Sequence, residues 1–336
     1  MRALVTGGGG FLGRAITEML LQRGDAVTIL SRSRYPEVEA LGATGVAHDL
    51  STDAPGLEQI LDGVDVVFHV AAKAGVWGPR DRFWSINVDG TRRLLDAAKA
   101  AGVGRFVYTS SPSAVWSGDD EVNLSEADCP YPETYLTTYP ETKATAEKMA
   151  LAENRDGFLT TSLRPHLIWG PRDPHLIPRL LDRGQKGRLR VVGEGKNKVG
   201  ITYVDNAAWA HLLAADELSG EAKNAGKAYF ITDDEPVDLW PWINDLFTAL
   251  DIPTVTKRIS TANAVRAGAA AEWIWRTFGR AGEPPMTRFV ARQLSTHHHY
   301  DLSAARNDFG YHQKIDPKLG WDQMIQWFKE NPITAS

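Results

Sequence analysis

The run Thr6-Gly7-Gly8-Gly9-Gly10-Phe11-Leu12-Gly13 follows a strand-like stretch at 3–5 and opens Phe11–Gln22, where apolar residues recur at helical spacing. A strand that turns through glycines into a helix makes three demands: a turn too tight for a Cβ, backbone that can touch a pyrophosphate, and a helix packed closely on its strand. Gly7, Gly10 and Gly13 meet one spacing of this pattern, and Gly8, Gly10 and Gly13 meet another. Both leave free N–H groups and a partial positive charge at the helix start, where phosphates bind. Gly7, Gly10, Phe11, Leu12 and Gly13 are therefore expected at a dinucleotide.

Strand-like runs recur at 26–30, 64–70, Arg105–Thr109, 159–163 and Ala228–Ile231, with a helical stretch at 91–101. This alternation predicts an α/β fold, a Rossmann-type doubly wound parallel sheet covered on both faces. From about 171 the prolines, basic residues and tryptophans crowd together, which predicts a smaller, mixed C-terminal substrate lobe. The expected division is 1–170 plus 201–232 for the nucleotide domain, and 171–200 plus 233–330 for the lobe. A chain of 336 residues is long enough for both.

With 42 acidic and 37 basic side chains the formal charge is −5, so nothing draws the chain to nucleic acid. Cys129, the one cysteine, allows no internal disulfide and suits a reducing compartment. The chain starts straight into a strand without signal-peptide features, and no window of about 18 uncharged apolar residues occurs, so a cytoplasmic protein is expected. The stretch 262–278 has two readings. It is a helix over the substrate cavity, or, through Trp273, Trp275 and Phe278 beside Arg266, Arg276 and Arg280, a peripheral contact with a membrane or a lipid carrier; contact with a pathway enzyme is a further expectation for the chain. A homodimer is the expected assembly.

The second strand ends in Ser31-Arg32-Ser33-Arg34, without the carboxylate that takes the ribose hydroxyls of NAD. A guanidinium binds a 2′-phosphate by charge-assisted bonds, so NADP is favoured with NAD as the second choice. Asp49 and Leu50, ending the next strand-like segment, are candidates for the adenine.

Tyr139-Pro140-Glu141-Thr142-Lys143 sets a phenol and an ammonium one helical turn apart. Thr138 and Glu141 have the spacing of a capping box, which would start the helix at the tyrosine. A neighbouring ammonium is expected to lower the phenol toward a useful range. Ser110 or Ser111, at the end of Arg105–Thr109, would hold the reacting oxygen, with Ser111 preferred.

The stretches TGGGGFLG, VVFHVAAKAGVWG, NVDGT, RFVYTSSPS, YPETK, LRPHLIWGPRD and TYVDNAAWAHLLAA resemble an extended short-chain dehydrogenase/reductase, and within it the 3β-hydroxysteroid dehydrogenase-like group. The resemblance implies Tyr139 as acid-base residue, Lys143 at the nicotinamide ribose, and Ser111 on the substrate oxygen. It implies Ala71, Lys73, Asn87, Pro165 and Ile168 near the cofactor. It further implies NAD(P)-dependent reduction of a long-chain 2-alkyl-3-ketoacid to the hydroxy acid, with oxidation of a sterol-4-carboxylate as the alternative. A sugar epimerase and a non-catalytic NADPH sensor are more distant options. Dehydratases carry an acidic pair after the serine or threonine, whereas Pro112 and Ser113 follow Ser111.

Arg172, His175 and Arg179 are candidates for a substrate carboxylate, or partners of Asp173 and Asp182. Trp77 either covers substrate or is ordinarily buried. His297-His298-His299 on a strand face alternate sides, which predicts rim packing and no metal site.

Overall fold

The computed structural model describes residues 1–333. Its main sheet contains β1 (Arg2–Thr6), β2 (Ala26–Ser31), β3 (Thr44–Ala47), β4 (Val66–His69), β5 (Arg105–Thr109), β6 (Leu159–Pro165) and β7 (Ala228–Ile231). Their order is β3-β2-β1-β4-β5-β6-β7, and every pairing is parallel. The strand-like runs read at 3–5, 26–30, 64–70, 105–109, 159–163 and 228–231 supply strands of this sheet, whereas the histidine stretch at 297–299 falls in a second one. The winding reverses beside β1, so a crevice opens past the carboxyl ends of β1 and β4, where doubly wound sheets bind ligands.

Alternate residues along each strand feed two apolar clusters. Ala3, Val5, Phe68 and Val107 pack on one face with Leu12, Ile16 and Leu20 of helix α1 (Phe11–Gln22). Leu4, Val67 and Phe106 pack on the other with Leu94, Leu95 and Ala98 of α2 (Gly90–Ala100) and Ala146 and Ala150 of α3 (Thr138–Ala152). Helix α4 (Val204–Glu217) joins α1 on the first face through Ala207, Ala208 and Ala210. With both faces covered, β1 and β4 read as unbroken apolar runs.

A second sheet of four short strands, Val237–Asp238, Lys198–Val199, His298–Tyr300 and Glu121–Leu124, is mixed in direction. It takes its edge strand Glu121–Leu124 from the part of the sequence grouped above with the nucleotide domain. Helix α5 (Thr261–Thr277) starts one residue before the expected 262 and ends at 277.

The glycine turn meets the steric demands read from its sequence. Gly7 has φ +67°, and its N–H donates to the Leu30 carbonyl at 2.8 Å, binding the turn to β2. A Cβ on Gly13 would lie 2.2 Å from the Gly7 carbonyl oxygen, so α1 can sit this close only with glycine there. Gly13→Ala should therefore lose about 1–3 kcal/mol of stability through forced backbone movement. Gly104→Ala, whose Cβ would meet nothing closer than 3.9 Å, should change it by no more than about 0.5 kcal/mol. Urea denaturation of the two variants makes the comparison, and equal losses would remove the steric account.

Candidate active site

Helix α3 begins at Thr138, preceded by Thr137, so Tyr139 and Lys143 lie one turn apart near its start. The expected capping box does not form. Glu141 instead pairs with Arg80 at 2.8 Å, a tertiary ion pair winning over the local cap. Behind the end of β5, Ser111 is extended, and its Oγ accepts from Ser113 N at 3.3 Å and from the Ser113 hydroxyl at 2.9 Å. Burial pushes the Tyr139 phenol up to about 12, and the Ser111 hydroxyl facing it pulls the other way. Ser110 is buried on the side of Glu147, which leaves Ser111 as the serine that shares a site with Tyr139.

The Lys143 ammonium is buried, donates to the Thr109 carbonyl, and sits 4.4 Å from the Tyr108 ring centroid. Burial lowers it to about 7, opposed by the charge of Glu147 one turn further along α3. The expectation that Lys143 lowers the phenol is corrected here. Its ammonium is engaged by Thr109, and desolvation is the largest influence on Tyr139.

Glu147 is a residue that the sequence reading missed. It is fully enclosed and accepts from Arg164 Nε at 3.0 Å, from the Tyr131 hydroxyl at 2.7 Å and from Ser162 Oγ at 2.8 Å. Arg164 and these donors hold its carboxyl below the usual range although burial opposes them. The signal was present, since a carboxylate four residues after Lys143 shares its helix face.

A second unforeseen network ties the glycine turn to α3. Burial lowers His69 to about 3, so the ring is neutral and carries one N–H. Thr91 Oγ1 donates to the Asn87 carbonyl at 2.7 Å, so it accepts from His69 Nε2 at 2.9 Å. His69 Nδ1 then accepts from Thr6 Oγ1 at 2.8 Å, and Thr6 Oγ1 accepts from the N–H groups of Val70 and Ala71, each at 3.0 Å. Asn87 lies in a π-helical turn, Ser85–Asp89, before α2. Its Oδ1 accepts from Lys73 N at 2.7 Å, and its Nδ2 donates to the Lys73 carbonyl at 3.2 Å and to Thr142 Oγ1 at 3.0 Å. Thr142 Oγ1 donates to the Tyr139 carbonyl at 2.9 Å, closing the chain from β1 to the phenol's own residue.

The crevice suits a dinucleotide. Gly10 supplies no side-chain cap to α1, so the N–H groups of Phe11, Leu12 and Gly13 face the ligand end of the sheet. Ser31 Oγ, closing β2, is buried without a hydrogen-bond partner, as expected of a group made to meet a ribose. Arg32 is exposed next to it, and its charge helps to lower Asp49, whose Oδ1 accepts from Ser51 N and Oγ. Arg34 is ion-paired with Glu39, which weakens the case for it at a phosphate. Leu50 is buried in the cluster under α2, and the Lys73 ammonium stands 4.7 Å over the Phe83 ring. Ala71 packs against Gly7, while Pro165 ends β6 and Ile168 pairs with Thr202.

Other expectations change. Arg172 pairs with Glu18 at 3.1 Å and Arg179 with Glu283 at 2.8 Å. Asp173 accepts from the N–H groups of His175, Leu176 and Ile177. None of the proposed pairs with Asp173 or Asp182 forms for these arginines. His298 is buried away from the rim, sharing a 2.7 Å hydrogen bond with His166. Among the described residues no cluster of three or more His, Cys, Asp or Glu could hold a metal ion, and no helix is long and apolar enough to cross a membrane. Trp77 lines a cavity of about 620 Å³ with Thr137 and Thr138, while Trp273 and Phe278 of the α5 region are 63% and 67% exposed.

Residues 4–260 match the 3-beta hydroxysteroid dehydrogenase/isomerase family. A 2-alkyl-3-oxoalkanoate reductase of Stenotrophomonas maltophilia (strain K279a) is 46% identical over 95% of this chain and 97% of its own. The human sterol-4-alpha-carboxylate 3-dehydrogenase, decarboxylating, is 33% identical over 98% of this chain and 88% of its own. Among solved structures, a double mutant of the dTDP-glucose 4,6-dehydratase DesIV from Streptomyces venezuelae, with NAD and DAU bound, superposes with a TM-score of 0.75 at 25% identity, covering 98% of each chain. The chain belongs to the 3-beta hydroxysteroid dehydrogenase/isomerase family and is an oxidoreductase of the extended short-chain dehydrogenase/reductase class.

Glu147→Ala would strand the Arg164 guanidinium in the interior, and a loss of about 3–5 kcal/mol on urea denaturation is expected. The double replacement Glu147→Leu with Arg164→Met should recover the part due to the stranded guanidinium, while Lys143, Tyr131 and Ser162 still lack the carboxylate. No recovery would mean that the pair matters through shape and not through charge.

Proposed function

We propose that the protein reduces a long-chain 2-alkyl-3-ketoacid to the 2-alkyl-3-hydroxy acid with NADPH. The observation that carries this reading is the half-buried Tyr139 phenol facing the Ser111 hydroxyl at the start of α3, one turn from Lys143. Such a group is protonated at neutral pH and can donate to a ketone oxygen. When bound, the dinucleotide supplies the hydride. Ser111 and Tyr139 hold the ketone oxygen between two hydroxyls, and the Tyr139 proton goes to that oxygen as negative charge develops on it. Lys143, one turn further along α3, is placed for the nicotinamide ribose.

The substrate class rests on the near full-length likeness to a relative named for 2-alkyl-3-oxoalkanoate reduction, at 46% identity against 33% for the sterol dehydrogenase. NADP is preferred because the end of β2 offers Arg32, with no ion-pair partner among the described residues, and no carboxylate. The reading describes a cytoplasmic homodimer acting on a lipid-like substrate.

NADPH oxidation should speed up, in kcat/KM, as the alkyl chains of the ketoacid lengthen, since each buried methylene contributes about 0.8 kcal/mol. Faster oxidation of 3β-hydroxysteroids with NAD would overturn the substrate reading. Tyr139→Phe should lower kcat by about 10²–10⁴-fold while leaving NADPH affinity nearly unchanged. Retention of more than about a tenth of the rate would move the proton donor elsewhere. For the cofactor, Arg32→Ala should weaken NADPH roughly ten- to a hundredfold and hardly alter NADH. Equal losses, or tighter NADH binding by the unmodified protein, would contradict the NADP preference.

A further inference from the structure

The 620 Å³ cavity in front of α3 has a charge that the protein itself does not balance. Two carboxylates line it, Glu141 and Glu272, and each is tied to an arginine outside the lining, Arg80 and Arg288, at 2.8 Å. Two guanidiniums line it as well, Arg276 and Arg280 at the end of α5, and neither has a carboxylate partner among the described residues. They rest on indoles instead. Arg276 lies 5.3 Å from the Trp77 ring centroid and Arg280 lies 5.1 Å from that of Trp275. Thr137, two residues before Tyr139, lines the same cavity, and its buried hydroxyl oxygen has no partner.

We propose that Arg276 and Arg280 capture the substrate's carboxylate at this mouth and so set the enzyme's preference for a ketoacid over the corresponding neutral ketone. The inference rests on the reductase reading above and adds to it the residues that recognise the anionic head. A cleft whose acidic groups are already neutralised, and whose remaining charge is all of one sign, focuses field lines and raises the local concentration of an anion. Guanidiniums stacked on aromatic faces are also held in place before the ligand arrives, which lowers the ordering cost of binding. The arginines expected for this task from the sequence, Arg172 and Arg179, are engaged by Glu18 and Glu283. That moves the role to the end of α5, where the exposed tryptophan and arginines had suggested a membrane surface.

The test compares the unmodified protein with the double variant Arg276→Ala, Arg280→Ala. Each is given a 2-alkyl-3-ketoacid and the ketone left when that acid loses carbon dioxide, the ketone being read as a substrate or as a competitive inhibitor. The double variant should lose about tenfold or more in kcat/KM for the acid, through KM with kcat retained, while its KM or Ki for the ketone stays within about twofold. Arg276→Lys with Arg280→Lys should keep most of the acid preference, because the field needs charge and not a fork. Raising the salt to about 1 M, where the Debye length falls to about 3 Å, should reproduce the loss in the unmodified protein and leave the alanine variant unchanged. Equal losses for acid and ketone, or a raised KM for NADPH, would assign these arginines to packing or to the cofactor and overturn the inference. An acid preference that survives in the double variant would overturn it while leaving the reductase reading intact. Failure of the unmodified protein to turn over the ketoacid at all would remove both.

Discussion

A carbonyl reduction needs a hydride on carbon and a proton on oxygen, delivered from two different parts of a protein at a fixed separation. On the proposed reading that separation is held by the hydrogen-bonded chain that starts at Thr6, at the end of β1, and runs through His69, Thr91, Asn87 and Thr142 to the Tyr139 carbonyl. Each proton in it has one place to go, because the neutral His69 ring must donate from Nε2 and accept at Nδ1. A buried network satisfied at every member is stiff and specifies a single arrangement. The glycine turn, the π-helical turn and the start of α3 are therefore tied to one another.

The cost of placing ionisable groups in the interior is met by the same helix. Lys143 and Glu147 lie one turn apart on α3, and Arg164 from β6 pairs with the same Glu147 carboxylate at 2.7 Å. Removing Glu147 leaves both cations without a carboxylate, which makes it the costliest of the three to lose. The surrounding burial pushes the lysine down and the tyrosine up.

Much of this was legible in the sequence because it is local. The glycine turn, the strands of the parallel sheet and the four-residue step from Tyr139 to Lys143 are patterns within a few residues of one another. The serine pair stayed open, since one residue of rotation decides whether Ser110 or Ser111 faces the phenol, and only the backbone after β5 settles it. What was misread depended on partners far along the chain. Glu141 is drawn from its expected cap by Arg80, 61 positions away, and Arg172 is held by Glu18, 154 positions away. The His69 relay was hidden for the same reason, as each of its members is an ordinary polar residue until the sheet brings them together.

Isotopic transfer tests the central claim most directly. The 2-alkyl-3-ketoacid is incubated with NADPH carrying deuterium at both C4 positions of its nicotinamide, and the product is analysed by mass spectrometry. The account predicts a 2-alkyl-3-hydroxy acid that retains its carboxyl group and carries one deuterium at C3. An unlabelled product, or deuterium found only in an alcohol that has lost the carboxyl group, would contradict it.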